Sequence, residues 1–160
     1  MTLEIRAATP DDAAAVLELV TALAVYEKEA DKVKMTEAGA RKALEAGHLN
    51  ALLGFADGKP LAMALYFFNF SSWTGRRGLF LEDLFVAPEL RGQGVGLNLL
   101  KRLAVMAVAA DCGRMEWNVL DWNTSAKGFY EMLGARHATG WETWRLEGDA
   151  LKALGADQGL

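Results

Sequence analysis

Three glycines at alternate positions, Gly92, Gly94 and Gly96, stand between an apolar run that reads as a strand and a long helical run. No other feature constrains this chain as much. Glycine lets the backbone approach an anion closely, and the free N–H groups at a helix start point towards it. Arg91, just ahead of them, adds a charge-assisted contact suited to a phosphate. A turn without a ligand would need only one glycine. Two familiar phosphate loops are excluded. A P-loop closes with Gly-Lys-Ser/Thr, whereas Gly96 is followed by Leu97 and Asn98. A dinucleotide fingerprint sets its third glycine one residue further on, after the first strand of a parallel unit. Here at least three strand-like runs come first.

Periodicity supplies the elements around the loop. Residues 3–7 alternate and read as an opening strand. Thr9-Pro10-Asp11-Asp12 is a helix start, with a capping side chain, a proline whose missing N–H costs nothing, and acids at the positive helix end. Ala13, Val16, Leu17, Val20, Leu23 and Ala24 form the apolar face of that helix. The charged residues 27–34 read as a loop, and Thr36-Glu37-Ala38 opens a second short helix. Strands are expected at 49–56 and 61–69, joined by the hairpin signal Asp57-Gly58, and at 79–86, ended by Pro88. Over 94–110 the positions Val95, Leu99, Leu100, Leu103, Ala107 and Ala110 recur at helical spacing, with Lys101 and Arg102 turned away. A strand at 115–120, a helix at 124–133 ended by Gly134, and a final strand at 141–146 complete the chain. The order βαα-βββ-α-β-α-β, with hairpins early and a helical crossover late, predicts a mixed α/β fold. Its centre is a mixed, mostly antiparallel sheet flanked by helices. No repeat or linker divides the 160 residues, so a single domain is expected.

A net charge of -4 argues against a nucleic-acid partner. The longest apolar run, 103–110, falls well short of the roughly 20 residues a membrane span needs. No leader pattern follows Met1, and Cys112 is the only cysteine, so the cytoplasm is the expected compartment. His48 and His137 show no ligand spacing, and no metal is expected.

Val86-Ala87-Pro88-Glu89-Leu90-Arg91-Gly92-Gln93-Gly94-Val95-Gly96 resembles the acetyl-CoA signature of the GNAT acyltransferase superfamily. More narrowly, Phe80-Leu81-Glu82-Asp83-Leu84-Phe85-Val86, Trp122-Asn123, Phe129-Tyr130 and Trp144-Arg145 are similar to the spermidine/spermine, or diamine, acetyltransferase branch. The similarity extends from Ile5-Arg6 and Tyr26-Glu27 to the predicted last strand. The resemblance implies the GNAT-type sheet, acetyl-CoA as co-substrate, no metal, and a homodimer. It implies acetyl transfer to a primary amine of a small cationic substrate, by direct attack in a ternary complex. The acceptor would be a diamine, a polyamine, or a lysine- or thialysine-like amino acid. It also implies that Arg91, Gly92, Gln93, Gly94, Val95, Gly96 and Leu97 hold the pyrophosphate. The backbone of Leu84, Phe85 and Val86 would bond the pantetheine arm and polarise the thioester carbonyl. Asn123, Thr124, Ser125 and Ala126 would line the cofactor side, and Tyr130 would protonate the departing thiolate. Read without the family, Tyr130 is a half-buried packing residue.

The amine is the chemical obstacle. An alkyl ammonium with a pKa of about 10.4 must lose a proton near pH 7, which costs roughly 4–5 kcal/mol. A nearby carboxylate, direct or through water, is the natural acceptor. Glu82 and Asp83 are neighbours on a strand and are expected to face opposite ways, in separate roles. By resemblance, Glu82 binds the amine and routes its proton, while Asp83 adds negative potential; otherwise both are ordinary strand-surface acids. Tyr26 and Glu27 match a substrate pair of the branch, a ring for the chain and a carboxylate for its distal charge. Trp73 and Trp144 are the expected groove walls, and Trp117, Trp122 and Trp141 read as core or dimer contacts. Ser71 stands where the branch often has an acid, and the segment after Trp73 adds Arg76 and Arg77. Both departures weaken the case for a fully extended polyamine. Protein or peptide N-acetylation and a non-catalytic acyl-CoA-binding module remain the alternatives.

Overall fold

Apolar alternation and helical spacing set the element boundaries closely as far as the second half of the chain. The computed structural model describes residues 2–156, which form two compact units divided after Asn118. The first unit contains β1 (Glu4–Ala7), α1 (Ala13–Tyr26), α2 (Glu37–Glu45), β2 (Asn50–Ala56), β3 (Lys59–Ser71), β4 (Arg76–Val86), α3 (Val95–Ala109) and β5 (Arg114–Trp117). The strands lie in the order β1-β2-β3-β4-β5. All neighbours are antiparallel except β4 and β5, the parallel pair, which the α3 crossover makes possible. Asp57 and Gly58 both have positive φ, as the tight β2–β3 hairpin requires.

Each face of the sheet carries its own core. Leu53, Met63, Leu65 and Phe85 meet Val16 and Leu19 of α1 on one side. On the other, Ala62, Ala64, Leu79 and Leu81 are buried with Leu99 and Leu103 of α3, and the Tyr66 hydroxyl lies 3.9 Å from the Met106 sulfur. Fully burying one such aliphatic side chain stabilises by roughly 1.5–3 kcal/mol. Leu19 belongs to this core although periodicity had picked out Leu17. Helix α1 is apolar nearly all round, so spacing alone does not fix which stripe faces inward.

A 3-10 turn at Pro10–Asp12 leads into α1. The Asp12 carboxylate accepts from both Arg6 guanidinium nitrogens at 2.7 and 2.8 Å, from the Thr9 N–H at 2.7 Å and from the Thr9 hydroxyl at 3.1 Å. The Arg6 hydrogen bond, above all, holds the Asp12 carboxyl far below the usual carboxylate range. Such a depressed acid stabilises the fold above pH ~4, and that contribution is lost as pH falls towards its folded value. Asp12→Ala is therefore expected to cost about 1–3 kcal/mol at neutral pH. Thermal melts at pH 7 and pH 3 check it. The gap between variant and parent should narrow in acid, and an unchanged gap would refute the assignment.

Two departures from the predicted elements concern the second half. Strand β5 ends at Trp117 instead of running to residue 120. Its last partner on β4 is Leu81, next to the register shift that makes a β-bulge in β4. In the second unit, α4 (Thr124–Met132) and α5 (Gly148–Ala156) carry no buried residues. Asn123 caps α4 by accepting from the Ala126 N–H at 3.1 Å. Gly134, at φ 88°, ends it, with the Ala135 N–H donating to the Tyr130 carbonyl at 3.1 Å. The predicted strand at 141–146 is absent, and Trp141 and Trp144 are 78% and 89% exposed. Three residues apart, these rings would project from opposite faces of a strand, so the segment lacks one apolar side. Helix α5, with Leu151 and Leu154 on one face, was not foreseen.

Candidate active site

The glycine loop leaves bare backbone in front of α3. Gly92 and Gly94 adopt left-handed φ values of 73° and 76°, and a Cβ built on either meets nothing within 4 Å. Gly94 is the N-cap of α3 and offers no side-chain cap. The first helical bond runs from the Asn98 N–H to the Gly94 carbonyl at 2.9 Å. Among the described residues, the N–H groups of 92–97 find no protein acceptor, so Val95, Gly96 and Leu97 join the cradle through backbone alone. The Gln93 amide turns back to donate to the Glu89 carbonyl at 2.9 Å, which pins the loop and leaves its backbone to face outward. Open space, unpaired donors and the positive helix end fit a pyrophosphate.

Beside the loop the sheet opens. Strand β5 pairs with β4 only over Gly78–Leu81 of β4, so among the described residues no strand lies on that edge beside 82–86. The Ala87 N–H donates to the Leu61 carbonyl at 2.8 Å. By the alternation of an antiparallel ladder, Leu84 and Val86 therefore turn their backbone groups to the free edge, whereas Phe85, against expectation, spends its own on β3. Their side chains meanwhile pack: Phe85 is buried against α1, and Leu84 and Val86 are half-buried.

At the same point the register slips. Leu65 pairs with Asp83 and Tyr66 with Leu81, leaving Glu82 as an extra residue on β4. The Tyr66 pair faces α3 and the Leu65 pair faces α1. Alternation from Leu81 sends Glu82 to the α1 side, and pairing with Leu65 brings Asp83 there too. The bulge thus overturns the expectation that the two acids face opposite ways. Glu27 joins them from the end of α1, and it lines with Asp83 a hollow of about 240 Å³. Burial, then the charge of Glu82 and that of Glu27, pushes Asp83 up to about 6. Glu82 itself is exposed.

A larger hollow of about 490 Å³ lies along α1, lined by Thr21, Val25, Tyr26, Phe85, Pro88 and Arg91. Here the Arg91 guanidinium stacks 4.4 Å from the Tyr26 ring centroid while its Nε donates to the Val86 carbonyl at 3.0 Å. Sequence reasoning gave Tyr26 to the acceptor and Arg91 to the donor; the fold joins them. Glu18 also lines this hollow and was missed, although positions 18, 21, 22 and 25 share one helical stripe.

The remaining residues lie elsewhere. Trp73, 86% exposed, sits in the turn between β3 and β4. Roughly 23 Å of β4, at about 3.3 Å per residue, separate Arg76 at that turn from Asp83. In the second unit Tyr130 follows Phe129 on α4, their ring centroids 5.4 Å apart, and burial raises its phenol pKa. The Asn123 side chain is engaged as the cap of α4, Thr124 and Ser125 are exposed, and Ala126 is half-buried. Trp144 lies in the irregular segment before α5. No group of three or more His, Cys, Asp or Glu among the described residues is arranged to hold a metal. No helix among them is long and apolar enough to cross a membrane.

The profile described as Acetyltransferase (GNAT) family matches residues 15–135. Thialysine N-epsilon-acetyltransferase of Sus scrofa is 38% identical across 94% of this chain and 95% of its own length. L-ornithine N5-acetyltransferase of Arabidopsis thaliana is 42% identical, across 56% of this chain and 40% of its own. Among solved structures, an integron cassette protein from the mobile metagenome of V. cholerae is similar at a TM-score of 0.81 and 26% identity. That likeness covers 98% of this chain and 99% of the other.

Proposed function

The chain belongs to the acetyltransferase (GNAT) family and is an acetyltransferase, and from that premise we propose that it transfers acetyl from acetyl-CoA to a small cationic primary amine. The observation that carries this reading is the β4 bulge at Glu82, which gathers carboxylates on the α1 side and frees the edge of 82–86. When bound, acetyl-CoA supplies an acyl carbon activated as a thioester. The N–H groups of 92–97 and the Arg91 guanidinium hold the pyrophosphate. The free-edge backbone groups of Leu84 and Val86 orient the arm and polarise the carbonyl. Asn123, Thr124, Ser125 and Ala126 flank the donor.

The amine, held by Glu27, Glu82 and Asp83 with Tyr26 against its chain, loses its proton to Glu82 through water; Trp73, at the far end of β4, takes no part in holding a small amine. Its lone pair attacks the carbonyl carbon directly, the C–S bond breaks as Tyr130 gives its proton to the departing sulfur, and the nitrogen, cationic after attack, sheds its surplus proton to restore the Tyr130 phenol. The family match crosses the boundary at Asn118, which supports residues 1–160 working as one domain. The branch resemblance supports a cytoplasmic homodimer, and the exposed Trp141 and Met132 of the second unit give a partner copy apolar surface to cover.

The test is a panel of primary amines incubated with acetyl-CoA, read by thiol release and by product mass. Turnover of small cationic amines is expected. Retained CoA binding without turnover of any amine would favour a binding module, and turnover of peptides alone would favour protein acetylation.

A further inference from the structure

Arg91 stands directly ahead of the glycine cradle, at the end of the 3-10 turn Pro88–Leu90, and its side chain is held on two sides. The guanidinium carbon lies 4.4 Å from the centroid of the Tyr26 ring, and Nε donates to the Val86 carbonyl at 3.0 Å. Tyr26 is the last residue of α1, where the helix dipole is negative and favours a cation. One face of the guanidinium is thus spent on the ring and one nitrogen on β4. Its two terminal nitrogens make no hydrogen bond with the described residues, and they form an edge suited to bidentate contact with a phosphate. Arg6 offers the contrast. It too lies over a ring, that of Phe55 at 4.6 Å, but Asp12 takes its terminal nitrogens at 2.7 and 2.8 Å. The Arg6 stack ends in a structural ion pair. The Arg91 stack ends in an open edge, on the wall of the 490 Å³ hollow that both residues line.

A long side chain loses rotamer freedom when a ligand captures it, and one that is already fixed has less to lose. We propose that Tyr26 is a positioning residue for the donor, its ring holding Arg91 in the pose that receives the pyrophosphate of CoA. The inference rests on the acetyl-CoA half of the proposed function. It gives a second task to a ring assigned above to the amine, and at 60% exposure Tyr26 has surface for both. On the donor side Tyr26 acts through Arg91 and touches no reacting atom.

A double-mutant cycle on the dissociation constant of CoA, read by calorimetry with no amine present, decides it. Tyr26→Leu is expected to weaken CoA binding roughly three- to thirtyfold, the range of a cation–π contact, while Tyr26→Phe keeps it within about twofold. In an Arg91→Met background Tyr26→Leu should cost nothing more, because the guanidinium it positions is gone. Thermal midpoints equal to that of the wild type show that the variants fold. Unchanged CoA affinity in Tyr26→Leu overturns the inference. So does an equal further loss in the Arg91→Met background, the mark of a general loosening at the end of α1, or a loss in Tyr26→Phe as large as in Tyr26→Leu. Acetylation of no amine, with the cycle as expected, sinks the acetyl-transfer reading and leaves this inference standing. Failure of the wild type to bind CoA overturns both.

Discussion

Replacing Tyr130 by Phe is expected to lower kcat about a hundredfold or more, the scale of a lost general acid. In the proposed transfer the departing group is an alkyl thiolate, and a thiol no more acidic than cysteine, at about 8.5, leaves best with a proton near neutral pH. A phenol is a source of that proton only while it is neutral. Burial raises the Tyr130 phenol above its ordinary pKa, which keeps it protonated across the working range. Phe preserves the ring that sits beside Phe129 and removes only the hydroxyl. The KM for acetyl-CoA should stay within about threefold, because the backbone cradle at 92–97 is untouched. Steady-state rates from pH 7 to 10 provide the measurement. A wild-type decline at the alkaline end should vanish in the variant, and an unaltered kcat would remove Tyr130 from the mechanism.

Asp83→Asn should weaken the enzyme and strengthen the fold. A hydrogen bond between charged groups is worth about 1.5–3 kcal/mol, so kcat/KM for a cationic amine is expected to fall roughly ten- to hundredfold. The stability effect has the opposite sign. Asp83 is an acid whose folded pKa, about 6, lies above its ordinary value of 3.8. The folded chain therefore binds that proton more tightly than the unfolded chain, and stability drops as pH rises from about 4 to about 6. Above that window the whole cost is present, and Asn abolishes it. Partial exposure of the side chain screens the effect, which leaves about 1 kcal/mol and a melting midpoint higher by roughly 2–4 °C at pH 7.5. Below pH ~4 the two proteins should melt alike. A variant that melts lower at pH 7.5 would mean that Asp83 is held by favourable contacts instead of strained by neighbouring charge.

The difference between what was legible and what was not follows the range of the forces involved. The glycine loop was legible because left-handed φ at Gly92 and Gly94 and the helix start at Val95 are local properties. The Asp57-Gly58 hairpin was legible for the same reason. Register is not local. That Glu82 is the unpaired residue of a bulge depends on where Leu65 and Tyr66 of another strand fall, and no alternation within β4 encodes it. The stacking of Arg91 on Tyr26 likewise joins residues far apart in the chain, each assigned to a different ligand when read alone. Trp141 and Trp144 misled in another way. Aromatic residues favour strands in general, but a strand also needs one face to bury, and their spacing denies it one.

The early end of β5 has a cost beyond catalysis. Where it releases β4, the sheet of the first unit carries a stretch of edge with no strand beside it among the described residues, and such edges are templates on which foreign strands aggregate. Charged side chains beside an edge discourage that docking, and Glu82 and Asp83 stand at the start of this one. The same two positions thus act as gatekeepers of solubility. A protein made more heat-stable by Asp83→Asn is accordingly the one with the less protected edge, and its thermal gain and its shelf life at high concentration should part company.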